Sequence, residues 1–389
     1  MSGKWEKVRL GDLYAIPSRN GLTRPSAVRG AGYKMAAMGE LFAADYVGDS
    51  NMDRVQLNDR ELRNMMIEEN DLLFARQSLI LSGAGKCSIV RGLKEPTTFE
   101  SHLIRVRLNE KVANPLFFMY MFKLPNSPIK SIVQQGVQAG IRGSDLENVI
   151  VNVPSKSEQD RIVAKLELFD AAIANCRRQI ALLEEAAMRL YREWFKDGQG
   201  EKKRLGDVVD FDPETKLQKG VKKFTVPMGA LQINSMVLDK TQFEVTIGNS
   251  GSKFKNGDTL LARITPCLEN GKTAFVFGVD ESGACGSTEF IVMRSKSLNP
   301  YAVYLLARTD EFRKVAIASM SGADGRQRAR REIIAEYETF VPCQERLTKF
   351  EQLCKPMFAQ IESLQGQIYS LTEARDRLLP KLMKGELAV

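Results

Sequence analysis

The side chains with the most chemical reach in this sequence stand in polar, glycine-broken stretches, and their types suit contact rather than bond making. Arg76-Gln77-Ser78 and Arg263-Ile264-Thr265 each follow a short apolar run that reads as a strand. Gly85-Lys86 and Asn270-Gly271-Lys272 bring a cation to a flexible backbone. Two longer stretches, 134–142 and 321–331, are rich in Gln and Arg. An Arg fork or a Gln amide makes paired hydrogen bonds to a planar partner, the chemistry that reads base edges, while Lys, Arg and Ser clamp phosphates. The candidates for such contacts are Arg76, Gln77, Lys86, Gln138, Arg142, Arg263, Lys272, Arg326, Gln327 and Arg328. For each, the competing reading is a solvated loop.

Bond-making chemistry finds no support. The chain has no G-x-x-x-x-G-K-[ST] cradle, no glycine-rich strand-to-helix turn and no Asn/Asp-Pro-Pro-aromatic signature. Asn299-Pro300-Tyr301 comes nearest but lacks one proline, and it reads as a helix-opening turn. The one histidine, His102, lies in a strand-like run as a packed or surface residue. Six scattered cysteines form no C-x-x-C pair, which argues against zinc, and Cys176 and Cys354 fall on apolar helical positions as small core residues. No catalytic residue, metal or cofactor is therefore expected in this chain. Its net charge of +8 permits a polyanionic partner without requiring one. No apolar run reaches the roughly 18 residues of a membrane span, and Met1-Ser2-Gly3-Lys4-Trp5 has no apolar signal core, so a cytoplasmic protein is expected.

The candidates recur because the chain repeats itself. Trp5-Glu6-Lys7-Val8-Arg9-Leu10-Gly11-Asp12-Leu13 is echoed by Lys203-Arg204-Leu205-Gly206-Asp207-Val208, and Glu69-Asn70-Asp71-Leu72-Leu73-Phe74-Ala75-Arg76 by Lys255-Asn256-Gly257-Asp258-Thr259-Leu260-Leu261-Ala262-Arg263. Further along, 101–107 answers to 288–294, Asn114-Pro115 to Asn299-Pro300, and Val151-Asn152-Val153-Pro154 to Thr339-Phe340-Val341-Pro342. Each match is weak, but the shared order makes a tandem repeat. The first part of each copy mixes short β-rich runs with glycine turns.

The second part of each copy is a long helix. From Ser157, read as a cap with Asp160 three residues on, the chain runs without Gly or Pro to about Lys196. A heptad seam follows Ile162, Leu166, Phe169, Ile173, Ile180, Leu183 and Leu190. Its counterpart uses Phe350, Met357, Ile361, Leu364, Ile368, Leu371 and Leu378, with Arg375 as a polar intruder and Pro356 expected to bend or delay the helix. A narrow seam needs a partner, and the other copy can supply it. The short link Asp197-Gly198-Gln199-Gly200 makes the two helices antiparallel. It puts the two globular domains at opposite ends about a pseudo-two-fold axis, roughly 50 Å apart at about 1.5 Å per residue. The expected fold class is α+β: two mixed α/β domains in tandem, each followed by a long helix, the helices forming an antiparallel coiled coil. Domain boundaries are expected at 1–154 and 199–342, with the long helices at 155–198 and 343–389.

The chain resembles the specificity subunits of type I restriction-modification enzymes along essentially its whole length. The resemblance is sharpest at 154–163, at Leu190-Tyr191-Arg192-Glu193-Trp194-Phe195 and at 375–387. Pro342-Cys343-Gln344-Glu345-Arg346-Leu347 departs from it, being shorter than the first helix opening and lacking its Ser cap, which leaves the start of the second helix open. The resemblance implies two target-recognition domains that read the halves of an interrupted double-stranded DNA sequence. It also implies assembly with two methyltransferase subunits and with restriction subunits that translocate and cleave. S-adenosylmethionine, ATP and Mg would belong to those partners. The alternatives are a coiled-coil assembly scaffold that reads no DNA sequence, and an enzyme fused to a reader.

Overall fold

The computed structural model describes residues 5–136, 138–196, 200–233, 235–279, 283–323 and 325–387. The link Asp197-Gly198-Gln199 lies outside them, as do Val137 and Asp324 within the two longer loops. The chain forms two compact units, 1–171 with 372–389, and 172–371. Each unit thus takes part of both long helices.

In the first unit, strand Leu103–Leu108 lies between Tyr14–Asn20 and Leu72–Ala75, and Cys87–Val90 and Tyr46–Val47 extend the sheet. Only the last pairing is parallel. A second sheet has the order Arg54–Val55, Arg29–Ala36, Thr97–Phe99, Met66–Ile67, with its middle pair parallel. The second unit repeats both sheets. Phe290–Ser295 lies between Val209–Phe211 and Thr259–Ala262, with Thr273–Phe275 outside; the other order is Glu244–Thr246, Lys223–Val226, Ala284–Gly286, Ser252–Phe254, again parallel in the middle.

The central strands carry unbroken apolar runs because both faces are covered. Alternate side chains of a strand point to opposite faces. Leu72 and Phe74 join one core with Ile104 and Val106, while Leu73 and Ala75 join another with Leu103. In the second unit Leu261, Ile291 and Met293 face one core, and Leu260, Phe290 and Val292 the other. Asn114 and Asn299 each open a helix with Pro at its start, Pro115–Lys123 and Pro300–Ala307, their side chains accepting from Leu116 N and Ala302 N. The Asn299-Pro300 turn is thus a helix start, as its sequence suggests.

The repeat extends to a buried ion pair. Asp71 receives Arg107 Nε and Nη2 at 2.7 and 2.8 Å, and Asp258 receives Arg294 Nε and Nη2 at 2.7 and 2.7 Å. Each Asp also accepts the backbone N–H three residues earlier, from Glu68 and Lys255, at 2.8 Å in both.

The first long helix runs Lys156–Trp194 and the second Gln344–Met383. The cap of the first is Ser155, not Ser157: Ser155 Oγ accepts from Glu158 N at 3.4 Å. Asp160 binds Lys156 and Asn114 instead. Pro356 does not delay the second helix. Pro356 is exposed, as is Gln352, the residue whose carbonyl loses its partner, so water can take that bond while Phe350, Cys354 and Phe358 bury on the other side. Burial pushes the Cys354 thiol up to about 12.

Within each unit the two helices meet antiparallel, start against end. In the first unit Ile162 and Leu166 share a core with Leu379, Leu382 and Met383. In the second, Ile173, Cys176, Ile180, Ala187 and Tyr191 share one with Phe350, Phe358, Ile361, Leu364 and Ile368. Phe169, Leu183, Leu190, Met357, Leu371 and Leu378 are only half-buried. Their neighbours Phe358 and Leu379 are buried instead, because each helix also packs on its sheet domain; Phe358 stacks edge-on against Phe275 and Tyr301. Arg375 is no misfit. It bonds Asp170 Oδ1 at 2.7 Å, and Asp170 Oδ2 accepts from Tyr120 and Tyr46 at 2.5 and 3.0 Å. Burial opposes ionisation of Asp170, but the hydrogen bonds from Tyr120 and Arg375 hold its carboxyl below the ordinary range.

Glu184 in the second unit is the opposite case. It accepts Met236 N at 2.9 Å but has no ion-pair partner among the described residues, and burial raises its pKa. A raised carboxyl contributes stability fully present below the unfolded value near 4.5 and lost as pH rises through the folded one. Glu184→Gln keeps an acceptor for Met236 N without that loss. Thermal melts are expected to show the variant at least as stable as the wild type at pH 7.5, the difference closing towards pH 4.

Candidate nucleic-acid interface

Strand Leu72–Ala75 delivers Arg76 to the sheet end, where its N–H donates to His102 O at 2.7 Å and its Nη1 to Ser101 O at 3.3 Å. His102 sits in the turn before strand Leu103–Leu108 rather than within it, its ring half exposed. Gln77–Ser78 then pairs antiparallel with Ala139–Gly140, and Ile141 N donates to Arg76 O at 2.9 Å. Gly140 also exchanges both backbone bonds with Gln134. Two stretches far apart in sequence, 76–78 and 134–142, therefore form one small ribbon. Gln138 and Arg142 are exposed on it, and Arg76 and Gln77 half-buried.

The second unit builds the same ribbon with the same bonds. Arg263 N donates to Glu289 O at 3.0 Å, Ala329 N to Arg263 O at 2.8 Å and Thr265 N to Gln327 O at 3.1 Å. Arg328 exchanges both backbone bonds with Ser321. Counting from these bonds, Arg326 stands where Gln138 does, Arg328 where Gly140 does, and Arg330 where Arg142 does. Three side chains here divide the labour. Arg328 is committed to Glu289, with Nη2 to Oε1 at 2.6 Å, and this bond holds the Glu289 carboxyl below its ordinary range. Gln327 is half-buried. Arg326 is exposed, with no side-chain partner among the described residues. Arg263 is half-buried and its Nε, shielded from solvent, has no hydrogen-bond partner among the described residues. A donor left unpaired in this way is costly unless a ligand completes it.

Lys86 and Lys272 occupy equivalent positions, their carbonyls accepting from Ala75 N and Ala262 N. Each turns its ammonium onto a backbone carbonyl, Lys86 onto Phe42 O at 3.0 Å and Lys272 onto Met228 O at 3.5 Å. Lys86 also lies 5.1 Å from the Phe42 ring centre, and burial lowers its pKa. Both lysines are spent on the fold more than on solvent.

The chain is similar to known proteins in sequence and fold. The sequence profile of the type I restriction modification DNA specificity domain matches residues 2–185. The chain is 24% identical to the type I restriction enzyme MjaIX specificity subunit of Methanocaldococcus jannaschii, over 86% of this chain and 83% of that protein. It is 21% identical to the MjaVIII specificity subunit of the same organism, over 99% and 93%. Residues 2–185 thus match the type I DNA-specificity domain, and the chain as a whole is similar to type I specificity subunits. The S subunit from M. genitalium shares the fold, with a TM-score of 0.55 at 16% identity over 98% of this chain and 96% of that one.

In the second unit a lysine-bearing cleft adds to the candidates. Its charged and amide lining is Asp212, Glu214, Lys216, Lys219, Asn249 and Lys253, and Arg331 at the end of the second ribbon reaches Asp212 at 3.0 Å. Lys216, Lys219 and Lys253 are exposed and form no ion pair among the described residues. The signal in the sequence is Lys216-Leu217-Gln218-Lys219-Gly220-Val221-Lys222-Lys223, four lysines in eight residues. Lys223, by contrast, is buried and caps the carbonyls of Gln218 and Val221, so it shapes the loop. Among the described residues no helix is long and apolar enough to cross a membrane.

Proposed function

We propose that the chain is the DNA sequence-specificity subunit of a type I restriction-modification complex and reads a bipartite target. Each unit reads one half through its ribbon, and the paired long helices serve as the spacer of the split site. The observation that carries this is the ribbon built twice with the same hydrogen bonds, offering planar, bidentate donors at equivalent positions. Arg76 and Arg263 lie at the base of each ribbon; Gln138 and Arg326 lie near its tip. The surrounding cations clamp phosphates. The chain itself catalyses nothing. Methylation with S-adenosylmethionine falls to two methyltransferase subunits, and ATP- and Mg-dependent translocation and cleavage to restriction subunits, recruited in the cytoplasm.

Mapping methylated adenines in a host with and without this gene tests the proposal, the expected result being an interrupted motif that depends on it. Arg76→Ala is expected to relax one half of that motif and Arg263→Ala the other, each by about 1–3 kcal/mol of discrimination, or roughly 5- to 150-fold. A scaffold that reads no sequence would leave the motif untouched by either substitution. Purified alone, the chain is expected neither to methylate nor to cut DNA.

A further inference from the structure

Leu79, Ile80 and Leu81 are 85%, 64% and 54% exposed, an uninterrupted aliphatic run in open solvent. They follow directly on the ribbon strand Gln77–Ser78. Their turn is built: Ile80 N donates to Ser78 Oγ at 3.2 Å and Gly83 N to Ile80 O at 3.0 Å. Gly83 is required there, because a Cβ would stand 2.3 Å from Ser78 Oγ. The fold therefore spends specific contacts on holding the run outward. In the second unit the matching turn does the reverse. Leu268 N donates to Ile264 O at 3.1 Å, and the Leu268 side chain is 1% exposed.

What covers an exposed aliphatic tip is indicated by its surroundings. No Asp or Glu occurs in 76–94 or in 111–144, the segments that form the ribbon and its flanks, while Arg76, Lys130 and Arg142 do; Lys86, Arg91 and Lys94 turn onto Phe42 O, Glu167 and Asp49. Glu100, beside the ribbon, accepts Met38 N through Oε1 at 2.6 Å, and its Oε2 lies 3.8 Å from His102 Nδ1. Asp145 accepts from Gln134 Nε2 at 3.4 Å, but Lys130 and Arg142 stand exposed with no ion pair among the described residues, so the apolar tip has a net cationic frame, which fits a polyanion with an apolar interior feature. Duplex DNA offers one in its major groove, the 5-methyl group of thymine, which aliphatic side chains contact directly.

We propose that Leu79, Ile80 and Leu81 form an apolar reader that packs on thymine methyl groups in the half-site read by the first unit, a mode the second unit lacks. This rests on the DNA reading proposed for the ribbons. The test uses the complex with its methyltransferase subunits and a duplex carrying the mapped methylation motif. Each thymine in turn is replaced by deoxyuridine, which removes the methyl and nothing else. For the wild type, replacement within one half-site is expected to weaken binding about fourfold, the effect of one unburied methyl-sized group. In the complex with Leu79→Ser, Ile80→Ser and Leu81→Ser that dependence disappears, while melting temperature and assembly are unchanged. Equal sensitivity in wild type and variant, or none in either while specific binding persists, overturns the proposal. So does failure of the variant to assemble, which would make the tip a docking point for another subunit. Absence of any sequence-specific binding by the wild type instead removes the underlying DNA reading.

Discussion

Replacing Asp258 by Ala is expected to destabilise the second unit by about 3–5 kcal/mol, and Asp71→Ala to do the same to the first. Both carboxylates are almost wholly buried, at 1% and 0% exposure, and each answers an Arg through two charge-assisted bonds. Removal leaves the guanidinium of Arg294 or Arg107 with less than its full complement of acceptors, and the N–H of Lys255 or Glu68 with none of its side-chain capping. The penalty belongs to breaking the pair, not to the pair's net worth. Substituting both partners, Asp258→Leu with Arg294→Met, should therefore recover much of the loss. Urea unfolding followed by a probe in each unit checks both statements. A single Asp variant that melts like the wild type would contradict the reading of the pair as the pin between central strands.

Removing four cations from the second unit, with Lys216→Gln, Lys219→Gln, Lys253→Gln and Arg326→Gln, is expected to give the largest drop in DNA affinity. The slope of log K against log salt should fall by about 0.9 for each phosphate that is no longer neutralised, about 2.7 for the three lysines together. The half-site preferences should survive for the three lysines, since a phosphate carries no sequence information. Arg326 alone distinguishes the two roles: a slope change near 0.9 marks a phosphate clamp, whereas a relaxed preference at one base pair marks a reader. All four are exposed, so folding should be unaffected. Fluorescence anisotropy with the assembled complex over a range of salt concentrations measures the slope.

How much of this was legible in the sequence follows from what each signal depends on. The repeat could be read because Asp71 and Arg107 must keep their spacing to meet across adjacent strands, and Asp258 and Arg294 keep the same one. Asn299-Pro300 could be read as a helix start because capping is local. The choice between Ser155 and Ser157 could not, since it depends on where strand Ile150–Val153 releases the chain. Lys86 and Lys272 look like free cations in flexible turns; their partners, the carbonyls of Phe42 and Met228, lie some 44 residues away in sequence. Heptad spacing announces that the long helices pair. It is silent on the sheet domains they also cover, which is why Phe358 and Leu379 are buried beside Met357 and Leu378. The lysine run 216–223 was visible as charge, but a run in a loop looks the same whether it meets phosphate or water. Arg331 on Asp212 ties the cleft beside it to the ribbon.

The first unit closes its core with Leu379, Leu382 and Met383, and anchors Asp170 with Arg375. During synthesis some 200 residues must be added between Ala171 and Thr372 before these side chains exist. At about 5–20 residues per second the nascent first unit waits roughly 10–40 s with the stripe of Ile162 and Leu166 uncovered. The second unit, whose residues are contiguous, can finish first. The order of maturation on the ribosome is thus reversed relative to the order of translation, and the early half is the one that needs a chaperone's shelter.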